Sequence, residues 1–260
     1  MGFDAGIAGH PAVAALAVLH AAALAASIPA ALRRRRAGTW LLGAALALNA
    51  GLIAWQWVEY GRPPFKTLFE TLVFYPLCVG VVTLLLVRLH GLHVLVPFSA
   101  AICLGGLGYA LHRPDAEVVN LPPALQSAWF VPHVMTYFIA YAALFASSVL
   151  AVLALARRPG FEMHANQAAV FGLAALTLGL LMGGIWGKYA WGDYWSWDPK
   201  ENWALVTWLA YLLYLHLRLM DGWQGRRAMG VLVFAFGAVV FTYLGMNLLP
   251  QSGESLHVYQ

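Results

Sequence analysis

The sequence predicts an all-α, polytopic membrane helical bundle of about eight transmembrane helices, and three observations predict it. Of its 260 residues, 62% are hydrophobic and only 10% are charged, against about 25% charged in an ordinary soluble domain. The apolar residues fall into many blocks separated by short polar breaks, each block near the ~20 residues that carry a helix across ~30 Å of hydrocarbon. Alternating ten-residue strand patterns are absent, which argues against an outer-membrane barrel. A water-soluble globule and a disordered chain are excluded by the same shortage of polar surface.

The blocks run at roughly 11–32, 40–60, 68–88, 93–111, 133–156, 166–186, 199–220 and 228–248. All are expected to be helical, because backbone groups in lipid must be bonded within their own segment. The first block lacks a basic region ahead of it and is followed by Arg33-Arg34-Arg35-Arg36, so it reads as a retained span. With that first break on the cytoplasmic side, alternate breaks hold 10 of the 15 basic residues and the other set holds 5, as the positive-inside rule requires. Both termini then lie outside, with the longer breaks at Tyr60–Thr67, His112–Pro132 and Gly187–Asp198. The net charge of +4 gathers in such topology-setting positions and does not mark a nucleic-acid partner; the partner it implies is the lipid membrane. Cys78 and Cys103 lie far apart in apolar blocks and read as buried small residues. The whole chain, 1–260, is expected to be a single integral-membrane domain.

One stretch carries most of the chemistry. Five of the 11 tryptophans lie between Trp186 and Trp203, an external tryptophan-rich loop at about 186–203. An interfacial aromatic belt accounts for one or two tryptophans at each span end, not for five in one break interleaved with glycines and acids. Asp198-Pro199-Lys200-Glu201 reads as a helix start, with Asp as N-cap, Pro at the first helical position and Glu at the third. Trp191 and Trp195, four apart, would share a face if that stretch were helical. Gathered rings of this size form an apolar platform for a large flat ligand.

The motif Trp191-Gly192-x-Tyr194-Trp195-Ser196-Trp197-Asp198-Pro199-Lys200-Glu201 resembles the tryptophan-rich "WWD" signature of the cytochrome c assembly proteins. Its Asp-Pro-Lys-Glu ending is similar to the CcsA (ResC) branch of the system II pathway. Other segments resemble that branch along most of the chain: Pro63-Pro64-Phe65-x-x-Leu68-Phe69-Glu70-Thr71-Leu72, Trp129-Phe130-Val131-Pro132-His133-Val134, Tyr211-x-x-Tyr214-Leu215-His216-x-Arg218 and Leu256-His257-x-Tyr259. Lys188-Tyr189 before the motif and Glu254-Ser255 before Leu256 depart from the family's pattern.

Nine histidines are present. His133 opens the fifth span and His257 follows the eighth, so the predicted topology brings both to the face of the tryptophan loop. Two imidazoles beside an aromatic platform are what a bis-axial iron porphyrin requires, and the resemblance implies the same role for both. His216 is about 17 residues into the seventh span, some 25 Å along at ~1.5 Å per residue, where an ionisable group is a functional candidate. The resemblance implies a transmembrane heme ligand there, with its partner ligand on a companion subunit. A plain interfacial histidine beside Arg218 is the competing reading. Lys188, Lys200 and Arg113 are candidates for pairing with heme propionates, or simple membrane anchors. His10, His20, His90, His93, His112 and His164 are read as structural, and Glu70 receives no role.

The resemblance implies cytochrome c biogenesis. Heme b, bound at His133 and His257 with Trp191, Trp195, Trp197 and Asp198 around it, would be attached as thioethers to the Cys-x-x-Cys-His segment of apocytochrome c. Export of heme from the cytoplasmic side past His216, a CcsB (ResB) membrane subunit and thiol-reducing assembly proteins are implied with it. No residue of this chain need be a nucleophile, since the substrate supplies the thiols. A multi-pass protein of the bacterial cytoplasmic membrane, or of a plastid thylakoid, is expected. Three alternatives stay open: a heme relay like the CcmC branch, a non-heme transporter or receptor with a tryptophan cage, and a regulatory bundle without the chemistry.

Overall fold

The computed structural model describes residues 11–27, 32–112, 120–156 and 160–245, with the backbone alone at 32–35. Among them the chain is all-helical and polytopic. The eight α-helices are α1 (Pro11–Ser27), α2 (Leu32–Tyr60), α3 (Leu68–His90), α4 (Leu95–Leu111), α5 (Phe130–Leu155), α6 (Phe161–Trp191), α7 (Pro199–Arg218) and α8 (Arg226–Tyr243), with a 3-10 turn at Pro123–Leu125. They correspond in order to the eight predicted blocks. Five are long and apolar enough to cross a membrane: the 36–60 part of α2, and α3, α5, α6 and α8. Helices α1 and α4 are apolar but shorter. Helix α7 is diluted by Lys200, Glu201 and Asn202 at its start and by His216 and Arg218 at its end.

The helices form two compact units, 1–121 and 122–259. In the first, Ala23, Leu42, Val96 and Ala100 make a core cluster among α1, α2 and α4. Three polar contacts join its elements: Thr83 with Ser99 at 2.7 Å, Asn49 to the Val73 carbonyl at 3.1 Å, and His93 with Thr39 at 2.9 Å. Cys78 and Cys103 are buried and free of disulfide.

The start of α3 is the most heavily bonded point of that unit. Thr67 caps the helix and Glu70 closes a capping box with it. The Glu70 carboxylate also takes a two-pronged bond from Arg62, at 2.6 and 3.2 Å, and one from the Lys66 N–H at 2.7 Å. Both side chains are buried, so each charge is neutralised where water does not screen it. Lys66 lies at the edge of this group, and its amine is held below the usual lysine range by partial burial and by the Arg62 charge.

In the second unit α5 is the most enclosed of the candidate spans. It packs tightly on α6, because α6 turns glycines toward it. A Cβ on Gly172 would stand 2.5 Å from Leu144, and one on Gly179 would stand 2.6 Å from the Tyr137 ring. The two helices are antiparallel: Ser147 near the end of α5 bonds the Ala165 carbonyl near the start of α6 at 2.8 Å. Helices α7 and α8 join through Thr207 and Thr242, whose hydroxyls are 2.8 Å apart and which both bond the Trp203 carbonyl.

The second unit thus has two distinct ends. One gathers the start of α5, the end of α6, the start of α7 and the end of α8. The other holds the start of α6, the end of α7 and the start of α8; there Arg226 donates to the Leu155 carbonyl at 2.7 Å and Tyr214 bonds Asn166 at 3.3 Å.

Candidate functional site

The site is built at the first of those ends. Helix α6 runs five residues past the predicted end of its block and stops at Trp191. Its last turn, Lys188–Trp191, is rich in aromatic and polar residues and reads as loop by composition, but that turn holds no proline or glycine to stop the helix before Gly192. Gly192 takes φ +95°, open to glycine and strained for other residues. Lys188 closes the end by donating to the Gly192 carbonyl at 2.6 Å, a cation at the negative end of the helix dipole. The non-helical stretch is Gly192–Asp198, and the tryptophan-rich segment at about 186–203 takes in the end of α6 and the start of α7 with it. Trp191 ends a helix and Trp195 lies outside one, so they share no helix face.

The loop folds back over α6. A Cβ on Gly187 would meet the Asp193 carbonyl at 3.1 Å, and one on Gly184 would meet the Tyr194 carbonyl at 3.3 Å. The glycines are what allow the backbone to lie so close. The far end is tied to α7 as the sequence predicts: Asp198 is N-cap, Pro199 opens the helix and Glu201 completes a capping box. Glu201 does more than cap. One carboxylate oxygen accepts from the Ser196 N–H at 2.9 Å, the Ser196 hydroxyl at 3.2 Å and the Asp198 N–H at 3.1 Å. Asn202 donates to the Trp197 carbonyl at 2.9 Å. Trp197 is held at φ +59°, a conformation non-glycine residues rarely adopt, and such strain concentrates at functional sites.

The predicted site residues fall as follows. His133 is half-buried in the first turn and a half of α5, its Nδ1 2.9 Å from the Gly179 carbonyl of α6. Its ring lies between Tyr137, at 4.9 Å, and Trp186, at 5.5 Å. Trp186 in turn packs on Trp191 at 4.8 Å and donates to the Ala124 carbonyl at 2.8 Å. Trp195 and Trp197 form an edge-on pair at 6.1 Å. The Trp195 indole N–H is buried without a hydrogen-bond partner among the described residues, whereas the Trp197 and Tyr194 side chains are exposed. Asp198 is buried, and its carboxylate takes the Lys200 N–H at 2.8 Å.

His133 and the tryptophan loop are thus brought to one end. His216 is not. It is exposed in the last turn of α7, its Nδ1 bonded to the Leu212 carbonyl of its own helix at 2.8 Å, at the opposite end of the unit. His257 and Arg113 lie outside the described residues.

Sequence reasoning missed Trp186 as a wall of the histidine, and it missed Gly179 and Gly183; it read Glu201 as a cap but not as the acceptor for the Ser196 amide and hydroxyl. The spacing of four in Gly179, Gly183 and Gly187 was the available signal for a close helix contact. Likewise Thr67-x-x-Glu70 is the same cap pattern read correctly at Asp198.

A family model described as cytochrome C assembly protein matches residues 65–253, a span that contains the glycine-lined end of α6, the loop and its cap. The chain belongs to the cytochrome c assembly protein family. Curated members similar to it include the cytochrome c biogenesis protein CcsA of Synechococcus sp. (strain RCC307), 34% identical over 84% of this chain and 83% of that one. CcsA of Chlamydomonas reinhardtii is 35% identical over 84% of this chain and 67% of that one. Among solved structures the cytochrome c heme lyase CcmF superposes with a TM-score of 0.73 at 17% identity, over 94% of this chain and 48% of that one. That likeness concerns the fold, and this cytochrome c assembly chain spans about half of the CcmF chain.

Proposed function

We propose that this protein works in cytochrome c biogenesis as the CcsA-type membrane subunit that holds heme b for attachment to apocytochrome c. Family membership supports the general role, and the relatives named CcsA support the branch. The observation that carries the site is the seating of His133 beside Trp186, at the end of α6 over which the strained tryptophan loop folds.

The residues present fit a porphyrin. A carbonyl only accepts, so His133 donates from Nδ1 and carries its lone pair on Nε2, the tautomer common among metal-bound histidines. The exposed Trp197 and Tyr194 rings offer flat apolar surface, and the unpartnered Trp195 N–H offers a donor. His257 would be the second residue to hold the iron. Asp198 serves by capping α7 and so holding the loop in place. Lys188, tied to Gly192, lies 5.6 Å from the Tyr194 ring and shapes the loop; Lys200 and Arg113 stay candidates for the propionates.

Bound heme supplies two vinyl groups. Each cysteine thiol of the Cys-x-x-Cys-His segment would add across one of them, its S–H bond and the vinyl π bond giving way to one C–S and one C–H bond with no net oxidation. This chain binds, orients and shields, and such positioning lowers a barrier by up to ~7–11 kcal/mol. The tryptophan end is assigned to the outside of the bacterial cytoplasmic membrane or its thylakoid equivalent. The His216 end, near Arg218, Arg226 and Arg227, is assigned to the inside, where heme enters. A CcsB-like membrane subunit and thiol-reducing assembly proteins complete the reading.

The test is the absorption spectrum of protein purified from membranes. A low-spin heme spectrum in the parent that is lost in a His133→Ala, His257→Ala double variant is the expected result. An unchanged spectrum in the variant removes the axial assignment. Incubation with a Cys-x-x-Cys-His peptide is expected to give a covalent heme adduct. Heme binding without any adduct would favour a relay that delivers heme unattached.

A further inference from the structure

Resting on the heme-holding reading, we infer that the Gly179–Gly183 turn of α6 is the positioning device for His133, with the Gly179 carbonyl choosing the ligating nitrogen and the missing side chain at Gly183 leaving the space in which the ring stands.

Four observations meet here. The Gly179 carbonyl is 2.9 Å from Nδ1, which leaves Nε2 as the nitrogen with the lone pair. A Cβ on Gly183 would lie 2.7 Å from Cε1 of His133 and 2.9 Å from Nδ1, closer than real Cβ atoms come. Tyr137 and Trp186 wall the ring at 4.9 and 5.5 Å. One residue on, Gly184 lies against the Tyr194 carbonyl of the loop. The same turn of α6 therefore seats the imidazole on one residue and the tryptophan loop on the next.

A merely satisfied interior histidine does not require this. His133 is half-buried, so water or any nearby carbonyl would serve its N–H. Each glycine within a helix costs roughly 1 kcal/mol relative to alanine, a cost offset here by the close approach it permits. Adding a methyl at Gly183 displaces the ring, since a Cβ there would stand 2.7 Å from Cε1 and 2.9 Å from Nδ1. That displacement breaks the bond to Gly179 and moves Nε2 by more than the ~0.5 Å a ligand site tolerates. Loss of such a supporting contact typically weakens metal binding ~10–100-fold.

The experiment compares the full-length parent with Gly183→Ala, His133→Ala and Gly237→Ala, each purified from membranes. Gly237 has open space around it and controls for a methyl added to a span. The expected result is a ~10–100-fold loss of heme affinity and of the low-spin spectrum in Gly183→Ala, with low spin regained on adding imidazole, and a normal spectrum in Gly237→Ala. A parent-like spectrum and affinity in Gly183→Ala overturn the inference. So does loss that imidazole does not restore in protein that remains folded. Should Gly183→Ala not accumulate, nitrogen-15 NMR of histidine-labelled, heme-free parent decides, with His133 assigned by its absence from His133→Ala. An Nδ1–H tautomer upholds the inference and an Nε2–H tautomer overturns it. A parent without any heme spectrum defeats the proposed function instead, and the tautomer measurement still reports on the seat.

Discussion

Glu201 and Glu70 do the same work at two helix starts, and their surroundings give different consequences. Glu201 is partly exposed and gathers three donors from the tryptophan loop. Replacing it with Ala is expected to cost ~1–2 kcal/mol through the lost cap and the released loop amides. The loss is read as faster proteolysis within 192–198 and a red shift of tryptophan emission, with the rest of the chain intact. Glu70 is fully buried against Arg62. Arg62→Ala leaves its carboxylate without that counter-charge and is expected to cost ~3–5 kcal/mol, whereas an Arg62→Met, Glu70→Met double variant costs much less. Thermal unfolding in detergent measures both, and equal losses in the two variants would discount the buried pair. Trp197 presents the opposite case. Its positive φ predicts that Trp197→Gly leaves the unfolding midpoint unchanged or higher while heme affinity falls, because strain and an exposed ring are both removed.

Among the elements, α6 decides most. Its apolar length is plain in the sequence, but its end is not. Aromatic and charged residues from Trp186 to Trp191 look like loop when judged by polarity, yet helix continues until a glycine at positive φ stops it. The glycines of α6 set how close α5 comes. Gly179→Ala is expected to destabilise by ~1–3 kcal/mol, since its methyl meets the Tyr137 ring and overpacking strains a filled interior. Gly105→Ala on α4, where nothing stands within 4 Å, is expected to be neutral or stabilising by up to ~1 kcal/mol. Unfolding curves of the two variants check the contrast; similar shifts would mean that α5 and α6 are not in contact at that point.

At the scale of the molecule, the arrangement in the second unit gives the sidedness a direct test. With Cys78 and Cys103 replaced by Ala, a single cysteine at Ser196 is expected to react with an impermeant maleimide from outside. One at Gln224, beside Arg226 and Arg227, is expected to react only after the membrane is opened. Labelling of both from one side would reject the alternating topology.

Number and order of the helices were legible because lipid-length apolar blocks and the distribution of arginines follow from solvation, a local property of the chain. So were the Asp-Pro-Lys-Glu helix start and the family, which rest on short contiguous residue patterns. The sequence by itself thus determined that this is a multi-pass helical protein of the cytochrome c assembly family, with its most informative residues just before α7. Only the tertiary structure decided that α6 carries His133 on one glycine and the tryptophan loop on the next, and that Trp186 walls the imidazole. The imidazole's contacts join residues far apart in the chain, His133 of α5 with Gly179, Gly183 and Trp186 of α6. They depend on how closely two helix backbones approach, and that distance is set by atoms glycine lacks, which no single residue's chemistry announces.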